Sequence, residues 1–367
     1  MSPRRGEAVR RPPSMADVAE AAGVSHQTVS RVLNGSPRVR EETRERVQEA
    51  IRALGYRRNQ AARALVTSRS ATIGIVTSGV AHVGPARTAL AVEAAARGSG
   101  YFVALSSLSH AAADEVRTAI DRFLEQGVEG IVVLAPFVDI ARVVDEVAAA
   151  VPIVVVAARE DVPDGSDVRY VSVDQRAGVR DAVEHLADAG HTRLAHIEGE
   201  HGWHDAIARS AGFLESARRR GIEGRVVTAD GWDPADGYAA GLELRDAIRR
   251  GEVTGVVAGN DHLAIGLIRA CVEGGIRVPE DLSVVGFDDI DVAGYLTPAL
   301  TTVRQPFAEL GGEAVRLLLE PGVAAPQPVR PLLVVRDSVA PPRPATTTRT
   351  SPDRPAPTPA DEKEGRP

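Results

Sequence analysis

The chain has 367 residues, 44% of them hydrophobic and 25% charged, with a formal net charge of −7. That length supports two to three domains with a large buried core. The single cysteine, Cys271, excludes an intramolecular disulfide and a multi-cysteine metal site, and no apolar run reaches the ~18 residues a membrane-spanning helix needs. The charge is uneven: residues 1–69 hold 14 arginines and no lysine against seven acidic residues, a balance of +7, which leaves −14 for the rest. A small basic piece on a large acidic body suggests a polyanion-binding module joined to something else. Arginine is preferred throughout, with Lys363 the one lysine, so the preference itself carries no functional meaning.

Residues 1–13 form a basic arm, rich in Arg and Pro, that is expected to be disordered. No apolar stretch follows it, so a secretory signal is not expected, and a reducing cytoplasm is the expected compartment. Helical signals then come densely. Ser14 caps a first helix, with Asp17 completing a capping box and Val18, Ala19 and Ala22 on one face. Gly23 breaks it. Ser25 caps a second helix with Val29, Val32 and Leu33 at i, i+3, i+4, ended by Asn34-Gly35. A third runs over Glu41–Leu54, with Val47, Ile51 and Leu54 inward and Gly55 beyond its end. Three short helices with a tight turn between the first two describe a helix-turn-helix headpiece over 14–58.

From residue 72 short β-branched runs alternate with amphipathic segments. Strands are expected at Thr72–Thr77, Tyr101–Ser106, Gly130–Ala135, Pro152–Ala157, Arg193–Ile197, Arg225–Thr228, Gly255–Ala258 and Ser283–Phe287. Helices are expected at Ala111–Gln126, Arg176–Ala189, Ala206–Arg220, Pro234–Arg250 and His262–Gly274. This alternation implies an α/β core of parallel sheets covered on both faces. Its size suits two doubly wound lobes, with a cleft at the carboxyl ends of their strands. A Pro-rich tail over 339–367 is expected to be disordered.

Residues 15–69 contain M-A-D-V-A-E-A-A-G-V-S-H-Q-T-V-S-R-V-L-N-G and T-R-E-R-V-Q-E-A-I-R-A-L-G-Y-R-R-N-Q-A-A-R-A-L. They resemble the headpiece and hinge of the lac repressor (LacI/GalR) family of bacterial transcription regulators. The resemblance continues through T-I-G-I-V, H-L-A-D-A-G-H, N-D-H-L-A-I-G, S-V-V-G-F-D-D and L-T-T-V-R-Q-P. It implies a hinge over 59–69 and a two-lobed, periplasmic-binding-protein-like core over 70–338. Lobe 1 is expected at about 70–173 and 305–330, lobe 2 at about 174–304 and 331–338. It also implies double-stranded operator DNA as a partner, a homodimer, and a small-molecule effector of the sugar or nucleobase class.

In such a headpiece the second helix enters the major groove. By resemblance, His26, Gln27 and Arg31 read bases: glutamine can pair with adenine N6 and N7, and arginine can fork onto guanine O6 and N7. Thr28, Ser30 and Asn34 are candidates for backbone contacts. By the same resemblance Asn59, Ala62, Arg63 and Leu65 belong to a hinge helix that docks in the minor groove, where Leu65 wedges between base pairs. A helix that short is not stable alone in water, so it is expected to form only on DNA.

A pyranoside asks for bidentate polar groups and an aromatic plate. Arg209, Asn260, Asp288 and Gln305 can each fork onto a hydroxyl, and Trp232 supplies the plate; all five match effector-contacting positions of the family. Trp232 resembles the residue of a galactoside-responsive, inducible member, which favours release from the operator by a glycoside. Phe307 lines the pocket or packs in the core. Asp261 is read as a helix cap, Asp288 or Asp289 as bonding backbone alone is the open alternative, and Trp203 is read as independent of the site. This chain has Ala157-Ala158-Arg159 where the family often has an aspartate, and Leu134 where a polar residue is common; Arg159 or Arg176 is the candidate substitute. No leucine heptad follows Pro341, so a dimer is expected rather than a tetramer. An enzyme is disfavoured, since no P-loop, G-x-G-x-x-G, G-x-S-x-G or HExxH occurs. His201 and His204 lack the frame of a metal site, so no metal or cofactor is expected. A sugar-transport binding protein and a purine or other corepressor remain the alternatives.

Overall fold

The computed structural model describes residues 11, 13–57, 69–78, 81–108, 113–135, 137–147, 150–158, 168–320, 322–324 and 326–343. The chain divides into two compact units at Ser70/Ala71.

The first unit contains α1 (Met15–Ala22), α2 (His26–Leu33) and α3 (Glu41–Leu54). Both halves of the Ser14/Asp17 capping box are present at α1, and the Ser25 hydroxyl accepts from the Thr28 amide at 3.2 Å to start α2. These bonds satisfy amide groups that an isolated helix leaves open. Val18, Val29, Val32 and Val47 form the core, joined by Tyr56. Leu54, expected inward, is exposed. Gly55 adopts a left-handed φ of 63°, and this turns Tyr56 back, its amide bonding the Ile51 carbonyl. Tyr56 thereby fills the space Leu54 was expected to fill.

The second unit holds two sheets. In lobe 1, β1 (Thr72–Ser78), β2 (Phe102–Leu108), β3 (Gly130–Leu134), β4 (Ile153–Val156) and β5 (Arg169–Val171) lie in the order β2-β1-β3-β4-β5, all parallel. Lobe 2 comprises β6 (Arg193–Glu198), β7 (Glu223–Thr228), β8 (Gly255–Ala258), β9 (Ser283–Phe287), β10 (Thr301–Arg304) and β11 (Leu332–Val334). Their order is β11-β10-β9-β8-β6-β7, with β11 the antiparallel edge. The strands the sequence pattern did not flag, β5, β10 and β11, span three or four residues, too few for a periodic signal.

The helices of this unit are α4 (Val83–Gly98), α5 (Ala113–Glu125), α6 (Val138–Asp145), α7 (Gln175–Asp188), α8 (His204–Arg219), α9 (Pro234–Arg249), α10 (Asp261–Glu273) and α11 (Phe307–Leu319). α11 follows a lobe 2 strand yet packs its Leu310, Ala314 and Val315 into the lobe 1 core. The chain therefore passes between lobes near residues 172–174, 305–306 and 329–331. At the first and third passages Asp174 and Val329 amides bond Val329 and Ser172 carbonyls, which ties the passing strands together.

Residues 339–343, expected to belong to the disordered tail, are instead bonded to lobe 2, and 344–367 lie outside the described residues. The Ala340 amide donates to Ser283 Oγ at 3.0 Å, and Arg343 pairs with Asp281 at 2.5 Å. Backbone bonding to a buried serine holds 339–343 on lobe 2 in spite of their proline content.

Helices α9 and α10 approach closely because glycines face the contact. A Cβ on Gly266 would overlap the Pro234 carbonyl and the Tyr238 amide, whereas one on Gly312 meets nothing within 4 Å. Gly266→Ala is expected to cost about 2 kcal/mol, seen as a melting temperature about 5 °C lower. Gly312→Ala, on an open helical face, should melt at or slightly above the parent value.

Candidate functional site

In the first unit, α2 turns Val29 and Val32 into the core. The opposite face leaves His26, Gln27, Arg31 and Asn34 exposed, with Thr28 and Ser30 half-buried. Gln27 and Arg31 lie one turn apart and share a face. The Thr28 hydroxyl pairs with Ser25 Oγ at 2.9 Å, and Asn34 Nδ2 donates to Ser30 Oγ at 3.4 Å. Asn59, Ala62, Arg63 and Leu65 lie outside the described residues.

The second unit places Arg209, Trp232, Asn260, Asp288 and Gln305 together in the cleft. Arg209 sits on α8 and is 3% exposed. Its Nε donates to Gln175 Oε1 at 2.9 Å and an Nη to the Gly259 carbonyl at 2.6 Å. The other Nη lies 3.6 Å from Asp205, and the guanidinium stacks 3.9 Å from the centre of the Phe287 ring. Gln175 Nε2 donates to Gln305 Oε1 at 3.0 Å, and Gln305 Nε2 to Asp288 Oδ1 at 2.6 Å. A continuous polar chain therefore runs from Arg209 through two amides to Asp288, so Asp288 bonds a side chain. Burial raises the pKa of Asp288 and of Asp205, and Arg209 opposes both shifts.

Asn260 also serves as a cap, the place expected for Asp261. Its Oδ1 accepts from the Leu263 amide at 2.8 Å at the start of α10, and its Nδ2 donates to the Trp232 carbonyl at 3.2 Å. Asp261, next in the chain, is fully buried. It accepts from the Ile290 amide at 2.8 Å and the Thr302 hydroxyl at 2.5 Å. Asp289 pairs with Arg304 and Arg336, each at 2.6 Å.

Trp203 is part of the cleft, not independent of it. Its ring centre lies 5.3 Å from that of Trp232, edge-on, and 5.1 Å from Phe137. A third contact, with His82 at 5.3 Å, is also edge-on. The Val138 amide bonds the Gly202 carbonyl alongside, so this tryptophan joins lobe 1 to lobe 2. Trp232 Nε1 is buried with no hydrogen-bond partner. His204 opens α8, where a loop was expected.

Two adjoining pockets, one larger than the other, share Gly84, Pro85, Trp203, Asp205 and Gln305 in their walls. Phe307 lines the larger one while sitting at the start of α11. Leu134 and Ala157 also face it. Arg176 does not replace the missing acid: it pairs with Glu215 at 3.2 Å on the surface. Arg159 lies outside the described residues. Sequence reasoning missed Trp203, Asp205 and Gln175. The one signal for them was position: Asp205 is one helical turn before Arg209, and Gln175 opens a helix. Among the described residues no cluster of His, Cys, Asp or Glu could hold a metal ion, and no helix is long and apolar enough to cross a membrane.

Residues 14–59 match the model of the lacI family of bacterial regulatory proteins, and 183–339 that of the periplasmic binding protein-like domain. The chain is 33% identical to the lactose operon repressor of Escherichia coli K12, over 84% of this chain and 85% of that protein. It is 36% identical to the regulator CelR of Thermobifida fusca, over 85% and 92%. Among solved structures, the lac repressor dimer bound to operator and the anti-inducer ONPF superposes with a TM-score of 0.79 at 31% identity. That match covers 90% of this chain and all of the other.

Asp261 gives this unit a pH signature. Burial, then the Asp288 charge, raises its pKa from 3.8 to about 7. A raised folded-state value means that the group favours folding while protonated and loses that contribution as pH rises from about 4 through 7. Urea melts of the parent and of Asp261→Asn across that range should therefore diverge. The parent loses stability relative to the variant as pH rises, and parallel curves would remove the assignment.

Proposed function

The chain belongs to the lac repressor family of bacterial transcription regulators, and from that premise we propose that it represses a sugar-utilisation operon in the cytoplasm and leaves its operator when a glycoside binds. The reading is carried by one pairing: an exposed Gln27–Arg31 face on a capped helix, in the same chain as the Arg209 cluster. The first suits base edges in a major groove. The second suits the hydroxyls of a pyranose.

His26, Gln27 and Arg31 read base edges, while Thr28, Ser30 and Asn34 touch the DNA backbone. Asn59, Ala62, Arg63 and Leu65 form the minor-groove hinge. In the cleft, Arg209, Asn260, Asp288 and Gln305 pair with hydroxyls, Trp232 stacks on the ring, and Phe307 closes the apolar side. The solved structures of relatives include a lac repressor dimer bound to operator and a CelR–cellobiose complex. Their names support operator DNA, a sugar and a second copy of the chain as partners here. Leu105 and Phe102 on the edge strand β2, with Leu90 on α4, are exposed apolar residues suited to a homodimer contact. A galactoside is favoured because Trp232 corresponds to the plate of a galactoside-responsive member.

Glycoside binding changes the angle between the lobes and, through the dimer, the spacing of the two hinges. Operator fragments recovered from the host genome with the full-length protein provide the test. Each bidentate base contact contributes about 1–3 kcal/mol, so Gln27→Ala or Arg31→Ala should weaken operator binding about ten- to hundred-fold. Binding to random DNA should change much less. Equal loss on both DNAs would remove the base-reading roles.

A further inference from the structure

We propose that Arg44, on α3, is a positioning residue for operator recognition: it fixes the end of α2 from which Arg31 reaches a base, and does not itself touch DNA. This rests on the base-reading role of Arg31 above and deepens it by naming what aims that side chain. Helices α1 and α2 start at serine caps, whereas α3 starts at Arg40, whose side chain makes no capping bond. The segment between α2 and α3 therefore has no cap to anchor its far end. Arg44 takes that place. Its Nε pairs with Glu41 in the first turn of α3 at 3.3 Å, and its Nη2 donates to the Ser36 carbonyl at 3.1 Å. The guanidinium thus ties the first turn of α3 to the residue that closes α2.

Ser36 is bound to Arg31 in turn. Its amide donates to the Arg31 carbonyl at 2.9 Å, and the Gly35 amide to the Val32 carbonyl at 3.0 Å. Gly35 has a φ of 65°, the left-handed conformation such a helix end favours. Helix α2 has eight residues, too few to be stable alone in water, so the direction of its last turn depends on what holds it. Val29 and Val32 fix the buried face. Arg31 lies on the exposed face, and its backbone is held through Ser36 by Arg44. A forked contact to a base keeps both bonds only if its donor is held to within about 0.5 Å, so a loosened Ser36 costs base reading before it costs folding. The same geometry disfavours a phosphate contact for Arg44. Its guanidinium is engaged by Glu41 and Ser36, its side chain is 21% exposed, and the Glu41 carboxylate would repel an incoming phosphate.

The test measures binding of the full-length protein to an operator fragment recovered from the host genome and to a random duplex of the same length, at about 50 to 200 mM salt. Arg44→Met, which loses both bonds, should weaken operator binding about tenfold and random binding less than about twofold. The slope of log Kd against log salt should stay as in the parent. Arg44→Lys, which can reach the Ser36 carbonyl but not Glu41 as well, should lose less, about threefold on operator. In an Arg31→Ala background, Arg44→Met should add less than about twofold, because its effect passes through Arg31. No loss on operator, losses that multiply in full with Arg31→Ala, or a slope reduced by about 0.9 for each phosphate contact removed would overturn the positioning role. If Arg44→Met fails to fold, Arg44→Lys carries the same comparisons. An Arg31→Ala variant that loses equally on both DNAs would remove the base-reading role itself, and this inference with it.

Discussion

A guanidinium taken out of water must find partners on every side, and Arg209 organises the cleft by this requirement. An unpaired buried charge is strongly destabilising, so the fold brings an amide, a carbonyl, a carboxylate and an aromatic face to it. Those partners come from separate stretches: Gln175 opens α7, Gly259 follows β8, Asp205 lies one turn earlier on α8, and Phe287 ends β9. The chain of bonds continues through Gln305 to Asp288. Gln175 and Gln305 follow or occupy two of the passages between lobes. A ligand that alters the surroundings of Arg209 therefore acts on the segments that set the angle between the lobes. That is the physical route by which binding in the cleft can become movement.

The backbone beside Asp288 shows how tightly this arrangement is held. Asp288 and Asp289 have φ values of 103° and 50°, in the region that side chains usually avoid. Such a pair persists only where its surroundings over-determine it. Asp289 supplies that constraint through Arg304 and Arg336, while Asp261 anchors the next turn at the Ile290 amide. The strained turn aims Asp288 at Gln305.

Much of this was legible in the sequence because local chemistry carries it. Ser14, Ser25, Gly23 and Gly55 mark helix ends through hydrogen bonds and backbone freedom that depend only on near neighbours. The long strands announce themselves by unbroken β-branched runs. The polar half of the cleft was legible through Arg209, Asn260, Asp288 and Gln305, each at a family motif. What escaped depends on the folded whole. Trp203 becomes a cleft residue only when lobe 1 brings Phe137 and His82 against it. Gln175 acquires its role only beside Arg209. Asn260 proves to be the cap, and Asp261 a buried anchor, because Thr302 and Ile290 are 41 and 29 residues away in the chain. Leu54 is exposed because a glycine turn hands its place to Tyr56.

Under the proposed function Arg209 links ligand to DNA, and coupling of this kind is a difference in ligand affinity between the operator-bound and free states, typically about 1–3 kcal/mol. The most direct measurement is operator affinity of the full-length protein, with and without a saturating glycoside, for the parent and for Arg209→Lys. A lysine keeps the charge but loses the planar fork. With each protein's own sugar-free Kd as the reference, the glycoside is expected to raise the parent's operator Kd about tenfold and to leave that of Arg209→Lys nearly unchanged. An equal shift in the two proteins, under conditions where the glycoside demonstrably occupies the cleft, would contradict it.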